Sequence, residues 1–297
     1  MRLLLKLNLV LLVTFGAGVA ISGYVSHGFL QRSAREQVVQ QARLMMGAAR
    51  AVRTYTAQQV RPLLAAHDAY TSSFPPQMVA AYSAKEVFSY LRAKYPAYTY
   101  REPALDPTNL TDRALDWEAD VIEAFRNHPA LNEMTGERES PQGRTLFLAQ
   151  PLKMEAACVA CHTTPEAAPA SMLKIYGREH GFNWKLGDTI GAQIVSVPTA
   201  LPLSIADRAF RSLMISLGGA ALATFVLLDL FIVMVVIRPV TRLSTMADEI
   251  SKGVLNVPEL RVRGGDEIAL LARSFNRMCL SLAKAIHLLE AKSSKRG

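Results

Sequence analysis

The sequence predicts a mixed α+β chain whose folded domain lies between two membrane-spanning helices. Three observations predict it. Two long apolar runs stand at residues 7–25 and 212–237. Between them, helical periodicity gives way to short alternating strands. After the second run a heptad pattern takes over. Half of the 297 residues are hydrophobic and the mean hydropathy is +0.15, high for a chain with no membrane segment.

The first run, "LNLVLLVTFGAGVAISGYV", follows Arg2 and Lys6. Its length suits a membrane helix. A leader cleaved near Gly18-Val19-Ala20 is the alternative. The anchor is preferred because the apolar run continues past that point into a helical pattern. The second run is interrupted only by Asp229, which carries a cost without excluding insertion. Two readings of Asp229 stand: a functional intramembrane group, or a partner for a polar group across a helix–helix interface.

Charge orients the chain. Residues 26–211 carry 20 Lys+Arg against 18 Asp+Glu, whereas residues 238–297 carry 11 against 6. The basic excess lies with the termini, as expected for cytoplasmic ends. The net charge of +8 is then a topology signal, and no basic face interleaved with aromatics points to nucleic acid. The expected divisions are an N-terminus (1–6), a first span (7–25), an outer domain (26–211), a second span (212–237), a helical segment (238–291) and a tail (292–297).

Within the outer domain, Val38, Ala42, Met45, Ala49 and Val52 recur at helical spacing, so residues 30–65 predict one long helix with Pro62 near its end. Further helices are expected over 79–94 and 115–129. Strands are expected at 98–102, 144–152 and 191–198, the last ended by Pro198. Helices followed by antiparallel strands suggest a PAS-like sheet.

Two of the three cysteines fall in "CVACH", residues 158–162. A disulfide between Cys158 and Cys161 would close too small a loop to restrict the unfolded chain much. A redox C-x-x-C pair would want a thioredoxin-like βαβ context, and none is nearby. A zinc half-site needs a second pair of ligands. The fourth reading uses all three residues: both thiols add to the vinyl groups of a haem, and His162 becomes an axial iron ligand. Haem attachment on the outer side of the inner membrane makes 26–211 periplasmic. Cys279, the remaining cysteine, reads as a small buried hydrophobe.

The stretches "VRTYTAQQVRPLL", "DWEADVIEAFRNHP", "GERESPQGRTLFLAQPL" and "CVACHTTPEAAPASMLKIYG", with "GFNWKLGDTIGAQIVSVP", resemble the PAS-like periplasmic haem c sensor family. The resemblance covers roughly residues 30–205. It implies one haem c held covalently by Cys158 and Cys161, with His162 as the proximal iron ligand. Relatives use a cysteine from the N-terminal helix or a methionine as the distal ligand. Residues 26–211 offer no cysteine outside the motif. Met45 and Met46 are therefore the first candidates, with His67 and His128 as alternatives. Arg53 and Tyr55 are candidates to contact haem propionates, or form a solvated helix face.

After the second span, Val240, Leu243, Ala247 and Ile250 form a seam that Gly253 ends. An extended connector follows. Ile268, Leu271, Phe275, Met278, Leu282, Ala285 and Leu289 then repeat at spacings of three and four. The entry "RP" and "DEIALLARSFNRM" resemble a HAMP linker, which implies a parallel four-helix bundle built by two subunits.

The expected function is a two-pass inner-membrane sensor, not an enzyme. A periplasmic redox partner or a diatomic gas would change the haem iron, and the HAMP homodimer would pass the change to a separate cytoplasmic output protein. The alternative is a membrane-anchored c-type cytochrome that carries electrons.

Overall fold

The structure, a computed structural model, describes residues 3–65, 73–141, 143–254, 258–260 and 264–293. It divides into two compact units, Ser26–Phe210 and Met1–Val25 with Arg211–Gly297.

The unit Ser26–Phe210 is built on a four-stranded antiparallel sheet. Its strands are β1 (Thr99–Arg101), β2 (Met134–Ser140), β3 (Gly143–Lys153) and β4 (Thr189–Pro198), in the order β1-β4-β3-β2. Both faces of the sheet are covered. Strand geometry sends successive side chains to opposite faces, and the two cores follow that alternation. Leu146, Leu148, Val195 and Val197 face helix α1 (Leu3–Tyr55), which contributes Val38, Ala42, Met45, Met46 and Ala49. Ala84 and Phe88 of α3 (Ala80–Lys94) complete that layer. Ala149, Ala192 and Ile194 face the other way, against Val121, Ile122 and Phe125 of α4 (Asp116–Asn127). Burying Ile122 and Phe125 contributes roughly 1.5–3 kcal/mol each. Burial on both faces explains why β4 reads as a continuous apolar run instead of an alternating one.

The helix expected over 30–65 differs in two ways. It begins far earlier, as part of α1, and it is helical through Ala65, past Pro62. A π turn at Thr56–Val60 bridges α1 and α2 (Arg61–Ala65). Pro62 has no N–H and its ring crowds the carbonyl four residues back, and the wider turn absorbs that conflict. The expected helices at 79–94 and 115–129 and the three strands are present. Strand β2 was not expected. Short helices α5 (Ala156–His162) and α6 (Ala170–Tyr176) follow β3.

Helix α7 (Ala200–Ile232) begins in the sheet unit, runs into the other one, and continues through a second π turn at Val233–Ile237 into α8 (Arg238–Ser251). Two helical stretches, Leu4–Ala65 and Ala200–Ser251, contain windows long and apolar enough to cross a membrane. Gly253 ends the descent with φ +90°, and α9 (Glu267–Ser293) starts on an Asp266 carboxylate that accepts the Ala269 N–H at 2.8 Å. Helices α8 and α9 pack together, burying Leu243, Ala269 and Ala272. Asn276 pins the connector by bonding both the N–H and the carbonyl of Leu260. Leu271, Met278 and Leu282 stay exposed. The side chains of Leu289 and of residues 291–297 lie outside the description.

One glycine is fixed by packing. A β-carbon on Gly191 would lie 2.3 Å from the Pro103 carbonyl, where the chain crosses the start of β4. Gly191→Ala should therefore destabilise the full-length protein by about 1–3 kcal/mol. Gly47→Ala, on an open stretch of α1, should stabilise it by up to about 1 kcal/mol. Thermal unfolding in detergent checks both signs.

Candidate functional site

Helix α5 carries Cys158 and Cys161 one turn apart, both as free thiols and both half-buried. Residues three apart share a helix face. Both line a cavity of about 240 Å³, together with His162. The opposing walls come from Arg53, Ala57 and Arg61, from Met78, Tyr82 and Lys85, and from Glu102, Thr108, Met172, Tyr176 and Trp184.

The His162 ring is held on three sides. Its Nδ1 lies 2.8 Å from the Gly181 carbonyl oxygen. A carbonyl only accepts, so Nδ1 carries the proton and donates it there. The Thr108 hydroxyl lies 3.3 Å from the same nitrogen. Trp184 stacks on the ring, with centroids 4.6 Å apart and planes at 17°. Burial pushes the His162 pKa down, against the Gly181 hydrogen bond, so the imidazole is neutral and Nε2 is left with a lone pair. A neutral imidazole with its far nitrogen tied to a carbonyl is the form that ligates a metal.

The segment 177–185 makes this geometry. Gly181 has φ +78°, and a β-carbon there would lie 2.0 Å from Thr108 Oγ1. Only glycine lets the carbonyl reach His162 while the backbone packs on Thr108. Asp106 holds the turn by accepting the Gly181 N–H at 3.1 Å and bonding His180 Nδ1 at 2.6 Å. Asn183 donates its N–H to the Thr163 carbonyl at 2.9 Å, which ties the turn to the end of α5.

A buried polar chain backs the cavity. Arg53 pairs with Glu102, which is 5% exposed. Tyr100 donates to Glu102 at 2.6 Å, and Gln193 donates to Tyr100 at 2.9 Å. Burial pulls the Arg53 pKa down, but the Glu102 charge, the Tyr100 phenol and the hydrogen bond to Glu102 together outweigh it and hold the guanidinium above its usual value. Burial, reinforced by Glu102, pushes the Tyr100 phenol up. Arg61 donates to the Ala157 carbonyl at 2.6 Å. Burial likewise pushes the Cys161 thiol up, while Arg61 pulls it down.

The structure thus brings together Cys158, Cys161, His162 and Arg53. It does not bring Met45 or Met46 to them. Both methionines pack against the sheet, 9% and 1% exposed, in the layer with Leu146 and Val195. The reason is axial distance: Met46 precedes Arg53 by two helical turns, about 10 Å along the axis. Tyr55 and His128 are exposed and away from the cavity, and His67 lies outside the described residues. Met78 and Met172 are the methionines that line the cavity among the described residues, and sequence reasoning missed both. Both stand on short elements whose periodicity is too brief to read.

The donor set fits a covalent haem: two thiols on one face, a neutral imidazole, apolar walls and two guanidiniums for carboxylates. Among the described residues no cluster of three or more His, Cys, Asp or Glu side chains forms a metal cage.

The family model for Tll0287-like proteins matches residues 31–198, more than half of the chain. The chain belongs to the Tll0287-like family. A HAMP domain matches residues 231–283. Among solved structures, the cyanobacterial haem protein Tll0287 is similar at 15% identity and a TM-score of 0.42, over 54% of this chain and 94% of that one. No curated protein matches. The cavity and the C-x-x-C-H motif both lie within the Tll0287-like domain.

The His162 pKa gives a pH dependence. In the haem-free variant Cys158→Ala/Cys161→Ala, the folded domain binds fewer protons at His162 than the unfolded chain. Stability is complete above the unfolded value of roughly 6.5 and is lost as pH falls below it. The unfolding midpoint should drop between pH 7.5 and 5.5. That slope should flatten when His162→Phe is added.

Proposed function

We propose that the chain is a membrane-bound haem c sensor. The Tll0287-like domain takes the signal and the HAMP domain converts it. The observation that carries this reading is the fixed tautomer of His162 beside two free thiols on one cavity wall. Cys158 and Cys161 would hold the haem by thioether bonds, His162 Nε2 would ligate its iron, and Arg53 and Arg61 would face its carboxylates. When bound, the haem supplies an iron that changes oxidation state by one electron and takes an axial ligand. A redox change or a small ligand at the iron is the proposed stimulus. The sheet domain, PAS-like in this reading, lies in the periplasm. The two apolar helices cross the inner membrane.

The HAMP match supports signalling over simple electron transport, since a carrier needs no converter of helix packing. The exposed Leu271, Met278 and Leu282 of α9 support a homodimer, because one chain leaves that seam uncovered. A separate cytoplasmic protein would receive the output. The haem-domain and HAMP matches support a sensor, and the proposed role is non-enzymatic.

Full-length protein co-expressed with a periplasmic haem c maturation system should carry one haem that resists acid–organic extraction. Cys158→Ala/Cys161→Ala should lose it. A well-folded native protein without covalent haem would overturn the reading.

A methionine ligand on the iron would come from Met78 or Met172, not from Met45 or Met46. One of Met78→Ala and Met172→Ala should shift the ferrous spectrum from low to high spin. Met46→Ala should leave the spectrum unchanged and cost about 2–5 kcal/mol of stability. The reverse pattern would return the ligand to the long helix.

A further inference from the structure

Asn8 and Asp229 are polar residues on two otherwise apolar helices, and the proposed function uses neither. Each has a side-chain oxygen, Oδ1, that is buried and without a hydrogen-bond partner. Within the unit formed by Met1–Val25 and Arg211–Gly297, no other described side chain has this property. A buried unpaired acceptor is costly, so two in one unit call for a common explanation.

Register supplies it. A β-carbon on Gly23 would lie 3.2 Å from Met214 Sδ, so α1 and α7 touch at that level. Asn8 precedes Gly23 by fifteen residues, and Asp229 follows Met214 by fifteen. Both stretches are unbroken α-helix. The two helices meet with opposite chain directions, so equal steps in opposite senses reach the same level. The faces agree as well. The less exposed positions of α1 include Leu4, Asn8, Leu11, Phe15, Val19 and Gly23, spaced by three or four. On α7 they include Met214, Gly218, Ala221, Phe225 and Asp229, at the same spacing. Asn8 and Asp229 therefore stand at one level, each on the seam of its helix.

We propose that Asn8 and Asp229 form a hydrogen-bonded polar clasp between the two helices. The Asn8 amide donates from Nδ2 to the Asp229 carboxylate. Its two ends are interchangeable in shape, and turning the amide over puts a donor where an acceptor now stands. Apolar neighbours exclude competing water, so the clasp fixes the sliding register of α1 against α7. A slide of one helical turn, about 5.4 Å, would separate the pair. The clasp rests on helix geometry alone and is independent of the haem reading.

The test uses the full chain in membranes, in a Cys279→Ala background. Asn8→Cys/Asp229→Cys should form an intramolecular disulfide at least tenfold faster than Asn8→Cys/Ala221→Cys, in which the second thiol lies two turns off register. Equal rates overturn the apposition. The hydrogen bond is read separately by thermal unfolding. Asn8→Leu should lower the midpoint, and the exchanged pair Asn8→Asp/Asp229→Asn should restore it. If Asn8→Leu is as stable as the native chain, or the exchange is no better than Asn8→Leu, there is no clasp.

Discussion

The hydrogen bond from His162 Nδ1 to the Gly181 carbonyl is the constraint on which the cavity depends. It decides which ring nitrogen carries the proton, and so which one is free for chemistry. It also decides where the segment 177–185 lies, because the same residue packs on Thr108 and accepts the hold of Asp106. Trp184 can stack on the imidazole only while that segment stays in place. Without the bond, a neutral ring could carry its proton on either nitrogen, and the motif would be two thiols beside an unoriented base. The cavity is thus organised from residues twenty positions beyond the motif.

A second constraint ties the cavity to the sheet. Arg53 projects from α1, Glu102 follows β1, Tyr100 lies on β1 and Gln193 on β4, and they form one bonded chain. Removing one member of a buried ion pair leaves the other charge uncompensated, typically at about 3–5 kcal/mol. The surface pairs Arg35–Glu137 and Arg43–Glu133 join the same helix to β2 and to the residue just before it, but exposed pairs contribute only about 0–1 kcal/mol. Helix α1 is therefore located by its apolar layer and by Arg53, and much less by its ion pairs. The same logic accounts for Met45 and Met46. They fill the layer between helix and sheet, a common use for flexible apolar side chains.

The sequence made some elements legible and hid others for identifiable reasons. Val38, Ala42, Met45 and Ala49 show the buried face of α1 because one stripe of a helix is enough to declare it. Strand β4 is legible as an apolar run ended by proline. Strand β2, "MTGERES", is hidden: it is an edge strand with alternate residues exposed, and Glu137, Arg138 and Glu139 suppress any strand signal. At the site, Cys158, Cys161 and His162 are adjacent in sequence and legible as a motif. Gly181, Thr108 and Trp184 come from loops and meet His162 only through the fold. No spacing rule connects them. Met78 and Met172 are hidden for the same reason. The preference for Met45 and Met46 followed from reading the long helix as the wall of the site, whereas its wall is the later stretch at Arg53, Ala57 and Arg61.

That later stretch exposes a device used twice. The π turn Thr56–Val60 is followed by Arg61-Pro62, and the π turn Val233–Ile237 by Arg238-Pro239. In each, the arginine N–H reaches back five residues, to the Thr56 and Val233 carbonyls. A proline two positions into the following helix would otherwise leave a carbonyl unpaired and a ring in collision with the preceding turn. One extra residue in the turn removes both conflicts, so the helix proceeds where proline alone would end it. The consequence differs between the two places. At the first, Arg53, Ala57 and Arg61 stand before, within and after the turn, and all line the cavity. At the second, the helix that enters the HAMP domain leaves α7 without a break. Both prolines therefore sit inside continuous helices, and a break at either one would interrupt a helix that the fold keeps whole.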